Sequence, residues 1–397
     1  MRKGILTKTA GILIVFLLTL CSPGRSLTKT MPKDTKESKE SYESMDKFLG
    51  NSFFSVHKLW DGRGGPKIVS AKDGTILALN GRSIRQSKDG GKSWLPPVQI
   101  ADSSGVQIVV NEINGEILLV SSKGFLWRSK DHGETWNKES ITILPNEFGH
   151  GSPDGVPIGL GAFQAGITLL FGEHKGRLLV PGRIFGPKNS NDNKWRPYHY
   201  NTSMYSDDNG HTWQTSAPFP VLGTGEAALA EISNGRILYS SREHMTKGNR
   251  FFAWSDDGGA TWLNPFRSEV LPDGVRGTSY GCMGGLVRIP VEGKDILLYS
   301  NLDSDAGQMP KEVGGSISVG REKVTVWASF DGGTTWPIKR LIFNGPSAYS
   351  SLGVGRANTL GEGKIFLLYE GGEKGMYSAV NVAVFNLSWL LNGQNIK

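Results

Sequence analysis

One nine-residue string occurs five times in this chain and constrains its fold more than any other feature. After its first residue, each copy reads Ser-x-Asp-x-Gly-x-Ser/Thr-Trp. The copies are QSKDGGKSW (86–94), RSKDHGETW (128–136), YSDDNGHTW (205–213), WSDDGGATW (254–262) and ASFDGGTTW (328–336). Their shared aspartates are 42, 77, 49 and 74 residues apart. A period of about 40–50 residues is typical of one four-stranded propeller blade, so each longer gap holds a blade with an insertion or nearly two blades.

The composition of the repeated string indicates a structural turn. Its aspartate can accept hydrogen bonds from backbone N–H groups just ahead, and its glycine supplies a positive φ. Its tryptophan places a large apolar group between neighbouring strands. A calcium loop is the alternative, but each copy has one fixed acidic residue, whereas calcium prefers six or more oxygen ligands. We therefore favour a scaffold role over a metal site.

Short strand patterns recur between the copies, and each begins at a turn residue. These patterns are GTILALNG, GEILLVSS, GRLLVPGR, GRILYSSR, KDILLYSN and GKIFLLYEGG. The 53 glycines and 11 tryptophans of the 397-residue chain also favour short strands and tight turns over long helices. The sequence therefore predicts an all-β fold, a six-bladed β-propeller whose last blade is closed by strand material from the N-terminus.

The N-terminal segment has the pattern of an export signal. Three basic residues precede a short apolar run at 12–20, which predicts a cleaved signal peptide over 1–21. Cys21 ends this run as in a bacterial lipoprotein signal, but Leu20 precedes it where such signals usually carry a small residue, so lipidation at Cys21 stays open. Residues 22–47 are rich in Lys, Glu and Ser and predict a disordered linker. We expect the propeller to occupy 48–397 of a secreted, periplasmic or cell-surface bacterial protein.

Several functional classes are disfavoured by the same sequence. Cys282 is left alone once the signal is removed, so no internal disulfide is expected. His199, His211 and His244 lack metal-ligand spacing, and no Gly-rich phosphate loop is evident, which predicts no metal and no cofactor. The net charge of +7 includes three charges of the signal, and no basic tract suggests nucleic-acid binding. A monomer is expected, with the membrane reached only through a lipid at Cys21.

The repeated string resembles the Asp-box of bacterial-type sialidases (neuraminidases), which are six-bladed propellers. Three longer stretches strengthen the resemblance. GEAALAEISNGRILYSSRE places Glu226 sixteen residues before Arg242, as the family does, and GREKVTVWASFDGGTTW begins with Arg321 at the place of another family arginine. NGPSAYSSL and KIFLLYEGG are similar to the nucleophile segment, with Tyr349 and the late acidic residue Glu370. The resemblance predicts a propeller with five Asp-box turns and implies sialidase activity on acidic glycans.

The resemblance assigns roles that suit the chemistry of sialic acid, which carries a carboxylate on its anomeric carbon. Arginine forks bind a carboxylate bidentately, and the family uses three, here Arg63, Arg242 and Arg321. A carboxylate nucleophile would be repelled there, so the family uses a tyrosine, here Tyr349. A phenol with a pKa of about 10 needs a base, and the resemblance gives that role to Glu226. Glu370 would orient an arginine.

The N-terminal blade departs from the family pattern in two places. The family's Arg-Ile-Pro motif is replaced by a segment in which Arg63 lies one residue out of register, and the Gly pair after it would have to let Arg63 reach the site. The loop that carries the family's acid is deleted, because residues 80–87 contain no acidic residue. The sequence offers Asp61, Asp154 and His150 as substitutes, although each of them fits an ordinary loop residue better than an acid.

Three functions therefore remain open. The favoured one is an exported exo-glycosidase that hydrolyses terminal sialic acid, or a related acidic sugar, with retention through Tyr349. The second is an exo-acting hydrolase or lyase on another acidic sugar of a polysaccharide, because the acid loop and the first arginine motif are altered. The third is a propeller that binds glycans without turnover, having lost its acid and kept its arginines.

Overall fold

The computed structural model describes residues 44–100, 102, 105–190, 192–305 and 320–391. The predicted signal peptide (1–21), its Cys21, and linker residues 22–43 lie outside the described residues. The remaining linker residues belong to the first helix, because Ser44 is its N-cap and residues 45–47 form most of it. The helical segments of the described chain are short and are α1 (Met45–Phe48), a 3-10 helix (Asn193–Tyr198) and α2 (Leu387–Leu391). None of these helices is long or apolar enough to span a bilayer.

Most of the described strands lie in antiparallel sheets whose strands follow one another along the chain, which confirms the predicted all-β class. The first sheet contains β2 (Pro66–Ser70), β3 (Ile76–Asn80), β4 (Ser83–Ser87) and β5 (Val98–Gln99), and the second contains β6 (Val106–Val110), β7 (Ile117–Ser121), β8 (Phe125–Ser129) and β9 (Asn137–Ser140). Each is a meander in chain order. Their first strands, β2 and β6, are fully buried, and apart from Lys67, Ser70 and Gln107 their residues are apolar.

The third and fourth sheets keep this order. The third contains β13 (Ile167–Thr168), β14 (Leu178–Ile184), β15 (Tyr200–Ser206) and β16 (Thr212–Thr215), with β10 (Thr142–Leu144) parallel to β16 at its edge. The fourth contains β17 (Thr224–Glu231), β18 (Ile237–Glu243), β19 (Asn249–Ser255) and β20 (Leu263–Pro272). A separate small pair, β11 (His150–Gly151) and β12 (Val156–Pro157), precedes the third sheet.

A seven-stranded sheet unites the C-terminal strands with the first strand. Its members are β21 (Gly285–Ile289), β22 (Ile296–Leu302), β23 (Glu322–Ser329), β24 (Ile338–Val354), β25 (Ile365–Gly371), β26 (Ala379–Phe385) and β1 (Phe54–Asp61). The first part of β24 pairs with β23 and its second part with β25. Strand β1 pairs with β26, so N-terminal material closes the C-terminal end of this sheet, as the sequence predicts.

The sheets surround a common centre, which makes the fold a β-propeller. Strand β2 contacts β6, β6 contacts β13 and β14, and β14 contacts β17. The circuit continues because β17 contacts β21, and both β21 and β2 contact β24. Apolar clusters fill the spaces between adjacent sheets; one of them, for example, joins β17 and β18 to Trp262 of an Asp-box turn.

The Asp-box turns are self-contained hydrogen-bonded units. In the fourth copy, Asp257 Oδ1 accepts from the backbone N–H of Ala260 at 3.1 Å and of Thr261 at 3.0 Å, and its Oδ2 accepts from the Thr261 hydroxyl at 2.5 Å. Ser255 Oγ donates to Asp257 and accepts from the N–H of Gly259. The other copies repeat the serine bonds. The carboxylate oxygens are therefore used within the turn, as a scaffold requires.

Candidate active site

The antiparallel order of the sheets brings Glu226 and Arg242 together. Glu226 is the third residue of β17, and Arg242 is the last but one of β18. Because the two strands are antiparallel, with Thr224 opposite Glu243, the start of one lies beside the end of the other. Both side chains are buried, and Arg242 Nη1 donates to Glu226 Oε2 at 2.9 Å.

Two β-bulges aim the residues that would perform chemistry. The register of β17 and β18 shifts between Thr224 and Ala227, which places Glu226 within the irregular stretch. The register of β24 and β25 shifts between Ser347 and Ser350, which does the same for Tyr349. A bulge rotates a side chain away from the regular alternation of a strand and is common beside active sites. Both side chains therefore depart from the regular alternation between the two faces of their strands, and they do so at the same end of the propeller.

Tyr349 and Glu226 are in direct contact. The Tyr349 hydroxyl donates to Glu226 Oε1 at 2.7 Å, although the two residues are 123 positions apart. Tyr349 is only 7% exposed. One oxygen of the Glu226 carboxylate thus accepts a hydrogen bond from the phenol, and the other accepts one from the Arg242 guanidinium. This is an arrangement in which a carboxylate could act as base for a neighbouring nucleophile.

Two further arginines flank the Tyr349 ring. The Arg321 guanidinium carbon lies 5.9 Å from the centroid of that ring and 4.2 Å from that of Tyr280. Arg321 also donates to the Tyr377 hydroxyl at 3.1 Å and to the carbonyl oxygen of Gly281. The Arg63 guanidinium carbon lies 6.0 Å from the Tyr349 centroid and 4.5 Å from that of Tyr377. The three arginines that the resemblance assigned therefore meet around one tyrosine and its glutamate.

Glu370 holds the turn that carries Arg63, through the backbone. Its Oε1 accepts from the N–H of Gly64 at 3.1 Å and of Gly65 at 3.2 Å, and its Oε2 accepts from the N–H of Tyr349 at 3.4 Å. Gly65 has a φ of 74°, which favours glycine, and a Cβ at Gly64 would overlap the Asn80 side chain. The out-of-register Arg63 thus reaches the site because two glycines allow a turn that a buried carboxylate fastens.

The positive charge of the arginines determines the ionisation states of Glu226 and Tyr349. Burial alone would raise the pKa of Glu226, but the charges of Arg242 and Arg183, together with the Tyr349 hydrogen bond, hold that pKa well below its usual value. Burial and the Glu226 charge raise the pKa of Tyr349, and Arg242 and Arg321 offset part of this. In the free site, Glu226 is therefore ionised and Tyr349 is a neutral phenol that donates to it.

A buried ion pair supports the backbone beneath Glu226. Arg250 is fully buried and donates to Asp273 Oδ1 at 2.8 Å, to the Glu226 carbonyl at 3.0 Å and to the Cys282 carbonyl at 2.9 Å. Asp273 also accepts from the N–H of Glu243 at 2.9 Å. Cys282 is a buried free thiol. This pair fixes the strand that carries Glu226 and leaves the charge of Arg242 to the site.

The sequence reasoning missed three residues of the site. Arg183, the last but one of β14, lies with Nη1 3.2 Å from His244 Nε2, and His244 Nε2 lies 3.9 Å from Glu226 Oε2. Because a guanidinium only donates, His244 Nε2 accepts and its ring proton lies on Nδ1. Burial and the charge of Arg242 lower the pKa of His244, so the ring is neutral. Arg196 interacts electrostatically with Arg242 and Glu226 from the 3-10 helix.

A spacing in the sequence could have identified Arg183. GRLLVPGR and GRILYSSR both read Gly-Arg followed by five residues and a second arginine, which is Arg183 in one and Arg242 in the other. The first arginines also match, because Arg177 donates to Asp207 at 2.8 Å and Arg236 to Asp256 at 2.6 Å. The two sheets therefore place their second arginines at corresponding strand ends. No comparable pattern marks Arg196 or His244.

The structure does not bring the three substitute acids to Glu226. Asp61 ends β1, its side chain is 86% exposed, and it pairs with Lys58, whose hydrogen bond lowers the pKa of Asp61. Asp154 is exposed between β11 and β12, and His150 lies with Nδ1 2.8 Å from the Tyr200 hydroxyl. Two residues connect β3 to β4, so the acid loop is absent. Asp61 in particular is exposed and ion-paired, which is the opposite of what a general acid needs.

The described residues contain no group of three or more His, Cys, Asp or Glu side chains that could hold a metal ion. The polar groups of the site are instead guanidinium donors, a carboxylate and a phenol. Such a set binds an organic anion and offers a nucleophile and a base.

Comparison with known proteins agrees with this chemistry. A model of the BNR repeat-like domain matches residues 83–365. A sialidase of Micromonospora viridifaciens is 31% identical over 269 residues, which are 66% of this chain and 35% of that protein. A sialidase of Bacteroides fragilis (strain YCH46) is 26% identical over 318 residues, which are 72% of this chain and 53% of that protein. The chain thus spans between a third and about half of the length of these relatives.

Solved structures resemble the fold. The Hadza microbial sialidase Hz136 superposes with a TM-score of 0.60 at 21% identity, over 83% of this chain and 66% of that one. The intramolecular trans-sialidase from Ruminococcus gnavus, in complex with oseltamivir carboxylate, superposes with a TM-score of 0.59 at 16% identity, over 82% and 94%. At such identities the likeness establishes the propeller and leaves activity to the site.

Proposed function

This chain belongs to the BNR repeat-like domain family, and on that premise we propose that it is an exo-glycosidase of sialidase type. It would release a terminal sialic acid, or a related acidic sugar, from a glycan. One observation carries the proposal. The Tyr349 hydroxyl is bonded to Glu226 in a buried site where Arg242 binds the same carboxylate and Arg63 and Arg321 flank the same ring.

In the proposed reaction, Arg63, Arg242 and Arg321 bind the sugar carboxylate and fix the anomeric carbon above Tyr349. The Tyr349 oxygen attacks that carbon as Glu226 Oε1 takes the phenol proton, and the glycosidic bond breaks. Water then attacks the anomeric carbon of the tyrosyl intermediate as the bond to Tyr349 breaks; Glu226 returns its proton to the Tyr349 oxygen, and solvent accepts the proton that the attacking water loses. Two displacements at one carbon give net retention.

Substrate binding would activate the nucleophile. In the free site Arg242 pairs with Glu226, which keeps the glutamate a weak base. A substrate carboxylate on the arginines neutralises part of their positive field, so the pKa of Glu226 rises and its ability to take the phenol proton increases. Arg321 and Arg63 next to the ring stabilise the phenolate that develops.

The leaving oxygen must obtain its proton without the family's acid loop. Among the described residues, the carboxyl groups around Tyr349 are Glu226 and Glu370, and both are occupied by the contacts above. We infer that water supplies this proton, which favours leaving groups of low pKa. The missing acid also favours the alternative of a propeller that binds acidic glycans without turnover, and the altered first blade keeps a different acidic sugar open.

Turnover of an aryl sialoside decides between these functions. We expect purified protein to release the aryl group, and NMR of the first product to show the anomer of the substrate. Tyr349→Phe should abolish the rate, because it removes the nucleophilic oxygen and little else. A Tyr349→Phe rate equal to that of the wild type would exclude the tyrosyl mechanism. Binding of free sialic acid with no turnover of any aryl glycoside would favour the binding function.

We also infer six blades, an exported protein and a monomer. The seven-stranded sheet becomes two blades if it is divided within β24, where the strand changes partner from β23 to β25. With the other four sheets, this gives the predicted six. The basic and apolar pattern of residues 1–21 supports export to the periplasm, cell surface or medium. Sialylated or other acidic glycans would be the partners.

A further inference from the structure

The site contains more guanidinium groups than are needed to bind the single carboxylate of an acidic sugar. Among the described residues, Arg63, Arg183, Arg196, Arg242 and Arg321 all interact with Glu226, Tyr349 or Glu370. They face the two carboxylates of Glu226 and Glu370. A substrate with one carboxylate would leave a net excess of positive charge in a largely buried space, which is costly.

Arg183 shows this excess most clearly. It is 7% exposed, and the described chain gives its guanidinium a neutral imidazole as hydrogen-bond partner and no carboxylate. Its Nε is buried without a partner. Burial and the charges of Arg242 and Arg196 lower the pKa of Arg183, while Glu226 raises it. A buried guanidinium with no carboxylate in hydrogen-bond contact is rare unless a ligand supplies one.

Arg196 approaches the same space from a long connection. The segment between β14 and β15 spans 185–199 and carries the 3-10 helix. A hairpin connection of this length is uncommon unless it has a function. It is fastened at its ends, because Arg183 packs on the Phe185 ring at 4.2 Å and His199 Nε2 lies 2.9 Å from the Ser190 carbonyl oxygen. Arg196 Nε is also buried without a partner.

The repeat between two blades makes Arg183 the counterpart of Arg242. Each is the last but one residue of the second strand of its blade, and each follows a Gly-Arg pair at the same distance. The propeller thus presents an arginine of the same kind twice, from adjacent blades, at one end of the ring. Arg242 has the Glu226 carboxylate as its hydrogen-bond partner, whereas the partner of Arg183 is the neutral His244 imidazole.

We propose that Arg183 and Arg196 form a second anion subsite, so that this protein takes a glycan with two anionic groups. The carboxylate of the sugar binds the first three arginines, and a sulfate, phosphate or second carboxylate binds Arg183 and Arg196. This inference rests on the proposed function for the first anion. The second anion is carried either by the acidic sugar itself or by the sugar to which it is linked.

Calorimetry with paired ligands tests the subsite. One pair is free N-acetylneuraminic acid and its monosulfate ester on the exocyclic chain. The other pair is that acid linked to galactose and to galactose sulfate. We expect at least one sulfated ligand to bind about ten- to a hundredfold more tightly than its partner, as expected for a new charge-assisted contact. The pair that shows the gain identifies which sugar carries the second anion.

The variants Arg183→Met and Arg196→Met should each reduce that ratio to about two or less. Arg236→Met, at a half-buried arginine that immediately precedes β18 and pairs with Asp256, is the matched control and should leave the ratio unchanged. Arg196 belongs to an exposed helix, so its variant keeps the test valid if Arg183→Met fails to fold. Equal affinities within both pairs, or equal weakening of both members by Arg183→Met and Arg196→Met, would overturn the subsite.

The same experiment separates this inference from the proposed function. Turnover of the aryl sialoside with no preference for sulfated ligands would leave the function intact and remove the subsite. If none of the sugars binds, titration with inorganic sulfate takes their place. If sulfate binds to the wild type and Arg183→Met abolishes this binding, the subsite is supported although the sialidase function is not. If sulfate does not bind either, both the subsite and the sialidase function are refuted.

Discussion

Replacing Glu370 by alanine tests whether this residue acts by positioning Arg63. The carboxylate accepts hydrogen bonds from the N–H groups of Gly64 and Gly65, which follow Arg63 in the turn, and from the N–H of Tyr349. Glu370 is fully buried, and burial raises its pKa while these N–H groups and Arg63 lower it. Without it, the turn loses its fastening and Arg63 is free to leave the Tyr349 ring.

The expected effect is a rise in KM. Losing a charge-assisted contact between Arg63 and the substrate carboxylate costs about 1.5–3 kcal/mol, which raises KM for an aryl sialoside about ten- to a hundredfold. The rise in KM should exceed the fall in kcat, because Tyr349 and Glu226 keep their own contact. Glu370→Gln retains an oxygen for the two glycine N–H groups, so its KM should be close to that of the wild type.

A double-mutant cycle and a matched control make the test specific. If Glu370 acts through Arg63, the double variant Glu370→Ala/Arg63→Met should have no higher KM than Arg63→Met alone. Glu231 is a buried glutamate that also accepts from two successive N–H groups, those of Leu170 and Phe171. Glu231→Ala should therefore lower Tm without changing KM. A Glu370→Ala enzyme with an unchanged KM and a lowered Tm would refute the positioning role.

Four further predictions concern one Asp-box turn, the pH dependence of activity and of stability, and the side chain of Trp195. Asp257→Ala removes the acceptor of the hydrogen bonds within its turn. It should lower the free energy of unfolding, measured in urea, by about 2–4 kcal/mol without changing the activity per folded molecule. A loss below about 0.5 kcal/mol would contradict the scaffold role. Because the pKa of Glu226 is held low, kcat/KM should be flat from about pH 5 upward, and an inflection above about pH 5 would contradict this field. The same shift makes Glu226 contribute stability above its unfolded pKa of about 4.3, so Tm should fall as the pH drops below about 4. Trp195, whose ring lies 6.0 Å from that of Tyr198 beside Arg196, offers a stacking surface for a neighbouring sugar. Trp195→Ala should thus raise KM for a sialylated trisaccharide and leave KM for the aryl sialoside unchanged. Equal changes in the two KM values would show that Trp195 does not contact the neighbouring sugar.

The candidate site was largely predictable where its residues lie in repeated or family-like strings. Glu226, Arg242, Arg321 and Tyr349 could be placed because each stands in a stretch whose type and spacing resemble those of the family. The Asp-box turns could be placed because all their bonds are local in sequence. Arg183 was within reach, since it repeats the spacing of Arg242. Arg196 was not, because nothing local distinguishes it from other surface arginines.

The sequence by itself determined the all-β class, the repeating turn and the types of residue in the candidate site. Short-range periodicity and turn composition are properties of consecutive residues, so they can be read without contacts. Only the tertiary structure decided that Arg63 reaches Tyr349, that Glu370 binds the backbone beside it, and that two bulges aim Glu226 and Tyr349 at one another. These depend on hydrogen bonds between residues more than 100 positions apart, whose geometry is set by the closure of the ring.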